Sequence, residues 1–294
     1  MKGVILAAGT SSRLYPATQS FTKHFLTIYD KPLIYYPLSV LMLAGIKEIL
    51  IIIKESENDL YNKLLGDGKN LGLKITYTYQ NIPKGIADSL FICKKFVGNK
   101  NFALILGDNI FFGTLLTKIL NDAKKINSKK TCLFSCEVNN PSDFGVLYLD
   151  KKNKPKKIVE KPKKPKSNNV ITGLYFYNSK VFKFLEKIKF SKRGELEISS
   201  INNLLLKNNA VKIFYFKRGF TWLDTGNPDN LLQANQFVQA YQRRQGYNIA
   251  CIEEISLKMN FINLNTFKKN INKYKNSFYG KYLKKIYDRE KIYN

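Results

Sequence analysis

From residue 3 to residue 138, apolar runs of strand length alternate with stretches of helical periodicity. Such an alternation can bury both kinds of element only by laying helices on the two faces of an open, largely parallel sheet. Residues 3–8 predict a first strand. Residues 32–44 predict a helix closed by Gly45, and Glu48–Ile53 predicts the next strand. Ser56 and Asp59 are expected to open a second helix that stops at Gly66 or Gly68, before an alternating strand over residues 73–79. The pattern repeats with a helix over 86–96, a strand at Phe102–Leu106, a helix over 114–126 and a strand over 131–138. From Phe144 the texture changes to strand pairs: FGVLYLD and KKIVEK flank a turn at 151–154, followed by VITGLYFYN, two helices, VKIFYF and GFTWLD. These strands are expected to join the same sheet. Asn227 and Pro228 open a helix through about Arg244, and residues 247–294 read as shorter helices ending in a basic, tyrosine-rich tail. The expected fold is α/β: a Rossmann-like, doubly wound mixed sheet flanked by helices, with added antiparallel strands and a helical C-terminal segment. Residues 1–244 would form the α/β domain, with 245–294 packed on it and available for oligomer or regulatory contacts.

Composition narrows the function classes. With 294 residues and 44% hydrophobic content the chain can bury a sizeable core. The longest uncharged apolar stretch, residues 33–46, is too short for a membrane span and contains Pro37. Only a short apolar run follows Met1 before Gly9 and Arg13, so no secretory signal is expected and the cytoplasm is the default location. The four cysteines lack metal-ligand spacing. Cys132 and Cys136 are an even number of residues apart in TCLFSCEV, which puts both on one face of a strand as reduced thiols. His24 is the single histidine, which disfavours a zinc hydrolase or a histidine-dependent triad. The net charge of +27 raises the question of nucleic acid. The lysines are nevertheless spread along the chain, and the densest cluster, residues 151–166, is broken by prolines and lacks interleaved aromatics. No specific nucleic-acid partner is expected.

Two features carry chemistry. In GVILAAGTSSRLYPATQSFTK a strand delivers small side chains around Gly9, which lets backbone N–H groups approach phosphate oxygens. Arg13 and Lys23 follow with no acidic residue between them, offering a planar donor fork and a mobile point charge for a triphosphate. A tight surface turn with ordinary basic residues is the competing reading. Asp108, after FALILG, and Asp224, in WLDTG, each follow a strand, and ligands of open α/β sheets bind beyond strand ends. Either aspartate alone reads as a turn residue; together they provide two carboxylates for one Mg²⁺, with water and phosphate oxygens completing the shell.

The motifs LAAGTSSRLYP, TKHFLTIYDKPLIYYPLSVLMLAGI, LLGDG, LILGDNIFFG, VEKP, ITGLYFY, RGELEIS and WLDTG occur in one order, from Met1 to beyond Glu254. The chain thereby resembles the glucose-1-phosphate thymidylyltransferases, RGELEI and WLDTG being the most specific motifs, and it includes the short C-terminal form with the EEI segment at Glu253–Ile255. The resemblance implies that dTTP and α-D-glucose 1-phosphate are joined to give dTDP-glucose and pyrophosphate, with Mg²⁺, in dTDP-L-rhamnose and surface-polysaccharide synthesis. It also implies a homotetramer inhibited by dTDP-rhamnose. Carried over by position, Arg13 and Lys23 stabilise the transferring phosphoryl group and the departing pyrophosphate, and Asp108 and Asp224 are the metal ligands. Gln80 and Gly85 read the thymine edge; Gly145, Glu160, Gly173 and Tyr175 hold the glucose ring; Lys161 and Arg193 contact the sugar phosphate. The implied reaction is a direct in-line displacement at the α-phosphorus without a covalent enzyme intermediate.

Structural readings stand beside these. Gly145 and Gly173 also suit a bulge or a close backbone approach, and Glu160 and Lys161 an exposed edge pair. Arg193 also suits a loop cation. Glu195 and Glu197 are expected to favour the start of the following helix and Trp222 to be a core aromatic. The chain departs from the family at Ala8, Ser11 and Ser12, where glycines are usual, and Ser11 therefore needs a tolerated left-handed angle or a shifted loop. His24 replaces glutamine and Thr27 replaces proline, while Lys84, Asp88 and Ser89 alter the segment beside the base. These changes bear on base preference more than on reaction type. The alternatives are a uridylyltransferase making UDP-glucose or a related sugar nucleotide, and a non-catalytic nucleotide- or nucleic-acid-binding paralogue.

Overall fold

The computed structural model describes residues 1–293. Its first half is built from β1 (Lys2–Leu6), a short hairpin of β2 (Thr27–Ile28) and β3 (Lys31–Pro32), α1 (Tyr35–Leu43), β4 (Glu48–Ile53), α2 (Asn58–Leu64), β5 (Lys74–Tyr79), α3 (Asp88–Val97), β6 (Phe102–Leu106), β7 (Asn109–Gly113), α4 (Leu116–Ile126) and β8 (Thr131–Glu137). The second half adds β9 (Gly145–Leu149), β10 (Pro155–Glu160), β11 (Asn169–Tyr177), α5 (Ile198–Lys207), β12 (Val211–Phe216), β13 (Phe220–Asp224) and the helices α6 (Pro228–Gln245), α7 (Ile252–Lys258), α8 (Leu264–Tyr274) and α9 (Phe278–Tyr293).

The expected α/β fold is present. Strands β6, β1, β4 and β5 lie side by side and parallel. Their alternate residues part cleanly: Ile5, Ile49, Ile51 and Ile105 join one apolar cluster with Leu38 and Leu41 of α1, whereas Val4, Leu50, Ile52 and Leu104 join another with Leu90 and Cys93 of α3. A strand buried on both faces has this two-sided apolar pattern, and it accounts for the continuous ILIII of β4. Cys132 and Cys136 both pack on the first cluster, and all four cysteines are free thiols. Beyond β6 the sheet becomes antiparallel through β11, which also borders β8 and β9; β12 then pairs parallel with β8.

Several boundaries differ from expectation. The helix predicted from residue 32 begins at Tyr35, because Lys31 and Pro32 pair with Ile28 and Thr27. Ser56 does not cap α2; it lies within a 3-10 turn, Glu55–Glu57, that leads into Asn58. The larger correction concerns FTWLD. It does not extend the main sheet but pairs antiparallel with β7, a strand not anticipated from NIFFG, to form a separate ribbon. Asn227 caps α6 as expected, its side chain accepting from the Asn230 N–H at 2.8 Å. Helices α7 to α9 have an apolar cluster of their own around Leu257, Phe267, Leu283 and Ile286. They are tied to the α/β body by Ser256 Oγ donating to the Leu71 carbonyl at 2.9 Å and by Asn270 Nδ2 donating to the Asn70 carbonyl at 2.7 Å.

Candidate active site

A cavity of about 510 Å³ opens at the carboxyl ends of the parallel strands, and every residue nominated from the sequence lines it. Its position follows from β11. Residues Val170 and Ile171 pair with β9 whereas Leu174 to Tyr177 pair with β6, so the sheet parts at Thr172 and Gly173. That gap is where a ligand can enter between strands.

One part of the cavity wall is made by the loop after β1. Ser11 takes the left-handed conformation, φ 57° and ψ 18°, so the tolerated-angle alternative holds. Its carbonyl accepts from Thr18 Oγ1 at 2.8 Å and from the Leu14 N–H at 3.0 Å, which offset part of the strain of a side chain in that region. The Lys23 ammonium, nearly buried, donates to Asp108 Oδ2, and Asn109 Nδ2 donates to Asp108 Oδ1 at 2.9 Å. Burial opposes ionisation of Asp108, but the charge and hydrogen bond of Lys23 outweigh it and hold the carboxyl down to about 2.

The separate ribbon decides where the second carboxylate lies. In its register Asp224 is opposite Asn109, next to Asp108 in the chain. Burial and the neighbouring negative charge of Asp108 push the Asp224 carboxyl up to about 6. Gly226 donates its N–H to Asp224 Oδ1 at 2.7 Å, and a Cβ at that position would fall 2.7 Å from Arg13 Nη2. Arg13 and Asp224 thus close on the same glycine. His24 is buried, its Nδ1 2.8 Å from Thr22 Oγ1, and burial together with the charge of Lys23 lowers its basicity to about 3. It is a neutral wall residue.

Elsewhere on the wall the loop after β5 runs along Leu196. The Leu196 N–H bonds to the Lys84 carbonyl at 2.7 Å and the Ala87 N–H to the Leu196 carbonyl at 3.0 Å. Gly85 between them has φ +106°, and an added Cβ would meet the Leu196 carbonyl oxygen at 2.5 Å, so only glycine fits. Gly145 and Glu160 are register partners across β9 and β10. Burial and the Glu197 charge raise the Glu160 carboxyl, and burial with the Glu160 charge raises the Tyr175 hydroxyl. Lys161 has φ 40°, an uncommon angle for a residue with a side chain, and its N–H bonds to the Phe144 carbonyl at 3.0 Å. Arg193 reaches the cavity while bonded to Glu195 at 3.1 Å and Glu197 at 3.2 Å.

Other wall residues carry no signal of their own in the sequence. Asn109 is almost fully buried and accepts at Oδ1 from the Gly173 N–H at 3.1 Å and from Trp222 Nε1 at 2.7 Å, while its Nδ2 serves Asp108. One amide therefore ties the Asp108 carboxylate, the parted strand and the second ribbon together. Trp222, Glu195 and Glu197, expected in structural roles, all line the cavity. Glu197 does stand at the cap position of α5, without a capping hydrogen bond from its side chain, and Trp222 does pack on the apolar core. Asn202 also faces the cavity; its Oδ1 accepts from the Tyr177 hydroxyl at 2.7 Å and its Nδ2 is buried without a partner among the described residues. Only adjacency to GDN or WLDTG could have flagged Asn109 and Trp222 beforehand.

A small-residue loop at a strand end, two basic groups and two converging carboxylates form a site suited to nucleotide phosphates. The chain belongs to the nucleotidyl transferase family, whose signature matches residues 2–241. Its similarity to one branch runs nearly end to end. It is 42% identical over 286 residues to the glucose-1-phosphate thymidylyltransferase of Neisseria meningitidis serogroup A, covering 97% of this chain and 99% of that one. It is 40% identical over 290 residues to that of Mycolicibacterium smegmatis, covering 99% and 100%. Among solved structures, a Bacillus anthracis protein assigned as a glucose-1-phosphate thymidylyltransferase, in complex with sucrose, superposes with a TM-score of 0.74 at 38% identity, covering 81% of this chain and 94% of that one. A UDP-glucose pyrophosphorylase bound to UDP-glucose shares the fold, with a TM-score of 0.71 at 24% identity and coverage of 83% and 99%.

Proposed function

We propose that this protein transfers the thymidylyl group of dTTP to α-D-glucose 1-phosphate, giving dTDP-glucose and pyrophosphate. The observation that carries the proposal is the convergence of Arg13, Lys23, Asp108 and Asp224 at one end of a cavity whose other walls are Gln80, Gly145, Glu160 and Tyr175. It is supported by the near full-length similarity to thymidylyltransferases.

A sugar-phosphate oxygen attacks the α-phosphorus while the bond to the β-phosphate oxygen breaks, and pyrophosphate leaves with that electron pair. Such a transfer needs alignment and charge stabilisation rather than a nucleophile from the protein. Backbone N–H groups around Gly9 cradle phosphate oxygens, and Arg13 and Lys23 stabilise charge on the transferring and departing groups. Lys161 and Arg193 hold the sugar phosphate, and Gly173 with Glu160 and Tyr175 orients the glucose ring. The carboxylates of Asp108 and Asp224 are hard oxygen donors whose mutual repulsion a divalent cation relieves, and they fit Mg²⁺. Bound there, the ion would neutralise phosphate charge.

Residues 1–244 carry this reaction and residues 245–294 serve subunit contacts in a homotetramer, a role supported by the exposed Phe278 on α9. The product would enter dTDP-rhamnose and surface-polysaccharide synthesis. The proposed setting is the cytoplasm, where sugar nucleotides are made. Among the described residues, no helix is long and apolar enough to cross a membrane.

The test is pyrophosphate release from glucose 1-phosphate and Mg²⁺ with dTTP or UTP in parallel, with the sugar nucleotide identified. Faster turnover with dTTP is the expected result. A UTP preference would make the protein a uridylyltransferase, and silence with both from folded, nucleotide-binding protein would overturn the enzymatic reading.

A further inference from the structure

Gln80 is 6% exposed, lies on the cavity wall, and is held from both directions. Its backbone N–H continues the β5 ladder to the Ile53 carbonyl at 2.9 Å. Its side-chain Nε2 donates to Asp88 Oδ2 at 2.6 Å. Asp88 is not on the wall; it stands behind Gln80 at the first residue of α3, with its own N–H bonded to the Gly85 carbonyl at 3.2 Å.

A carboxylate accepts hydrogen bonds and cannot donate them, whereas a primary amide has an accepting and a donating end. Turning the Gln80 amide over would set Oε1 against Asp88 Oδ2, two acceptors at hydrogen-bond distance, and would leave a buried group unpaired. The amide therefore has one permitted orientation. The scaffold behind it is rigid, because the 84–87 loop is bonded on both sides of Gly85 to Leu196.

We infer that Asp88 is a specificity-determining positioning residue: it draws Nε2 away from the cavity and commits Gln80 to present Oε1, an acceptor, to the bound base. The inference rests on the pyrimidine-nucleotide reading above. Thymine and uracil carry a proton on N3 and supply the complementary donor. Cytosine presents a lone pair at N3 and meets Oε1 acceptor to acceptor. Asp88 thus selects pyrimidine diones over cytosine and does not separate thymine from uracil.

The experiment measures kcat/KM for dTTP and dCTP, with Mg²⁺ and glucose 1-phosphate, in the full chain and in Asp88→Asn, Gln80→Ala and the double variant. Asparagine both donates and accepts, so it tolerates either orientation of Gln80. The dTTP-to-dCTP preference should fall at least about tenfold in Asp88→Asn, while the KM for glucose 1-phosphate stays within about twofold. In the Gln80→Ala background, Asp88→Asn should change the preference by less than about twofold, because the residue acts through the glutamine. Asp88→Ala, which removes the acceptor altogether, is the second variant should asparagine compromise folding, and the same fall is expected. An unchanged preference in an active Asp88 variant, or an equal effect with and without Gln80, would overturn the inference. Absence of dTTP turnover in the unmodified protein would overturn the thymidylyl reading and the inference with it.

Discussion

Replacing Asp224 with asparagine should stabilise the metal-free protein above pH 6 while abolishing turnover. Burial and the Asp108 charge raise its carboxyl from 3.8 to about 6. Between those values the folded protein holds a proton that the unfolded chain has released, so stability falls as pH rises through the window and the full penalty stands above about pH 6. The rise corresponds to about 3 kcal/mol, which solvent at the open cavity reduces to about 1–3 kcal/mol. Asparagine is nearly isosteric, keeps an acceptor for the Gly226 N–H, and removes the charge. In EDTA at pH 8 the variant should melt roughly 2–5 °C above the parent, and the difference should vanish by about pH 4. Added Mg²⁺ with dTTP should raise the parent's melting temperature by mass action and leave the variant little changed. Calorimetric scans across pH 4–8, with and without Mg²⁺, read every part of this. A variant no more stable than the parent at pH 8 in EDTA, or a gain that persists undiminished at pH 4, would refute the reasoning.

Gly226→Ala should lower kcat by about 10- to 100-fold with the far-UV circular dichroism unchanged, because its Cβ would fall 2.6 Å from Asp224 Oδ1 and 2.7 Å from Arg13 Nη2 and displace both groups. A wild-type rate would show that those groups are free to shift. Asn109→Ala should destabilise the protein by about 2–4 kcal/mol in urea unfolding, since Trp222 Nε1 and the Gly173 N–H lose their shared acceptor; a change below about 1 kcal/mol would deny it that role. Burial pushes the Cys93 and Cys132 thiols up to about 12, so Ellman's reagent should not label either until the chain is denatured. Rapid labelling of either in the native protein would contradict the packing.

The legible part of the fold was that governed by local periodicity. Glu48–Ile53, Phe102–Leu106 and Val211–Phe216 match their predicted bounds, because an uninterrupted apolar run between turn residues has few alternatives to a buried strand. NIFFG is not legible as a strand in the sequence, because its partner FTWLD lies more than a hundred residues away and nothing local distinguishes it from the loop around GDN. The same limit applied to Asn109, whose role exists only once Gly173 and Trp222 are brought to it. Ser11 is a departure legible in the sequence, which leaves two options for its backbone; the left-handed one is adopted.

The sequence by itself determined the alternation of elements, the apolar faces of the central strands and the identities of the groups able to handle phosphate. The first two repeat every two or three to four residues and are set by neighbours along the chain; the third is a matter of which residue types are present. Only the tertiary structure decided that Asp224 faces Asn109 beside Asp108, that Arg193 shares its charge with Glu195 and Glu197, and that Asp88 stands behind Gln80. Strand pairing and side-chain orientation are chosen by the packing of the whole molecule, and charges so placed are what set the chemistry of the site.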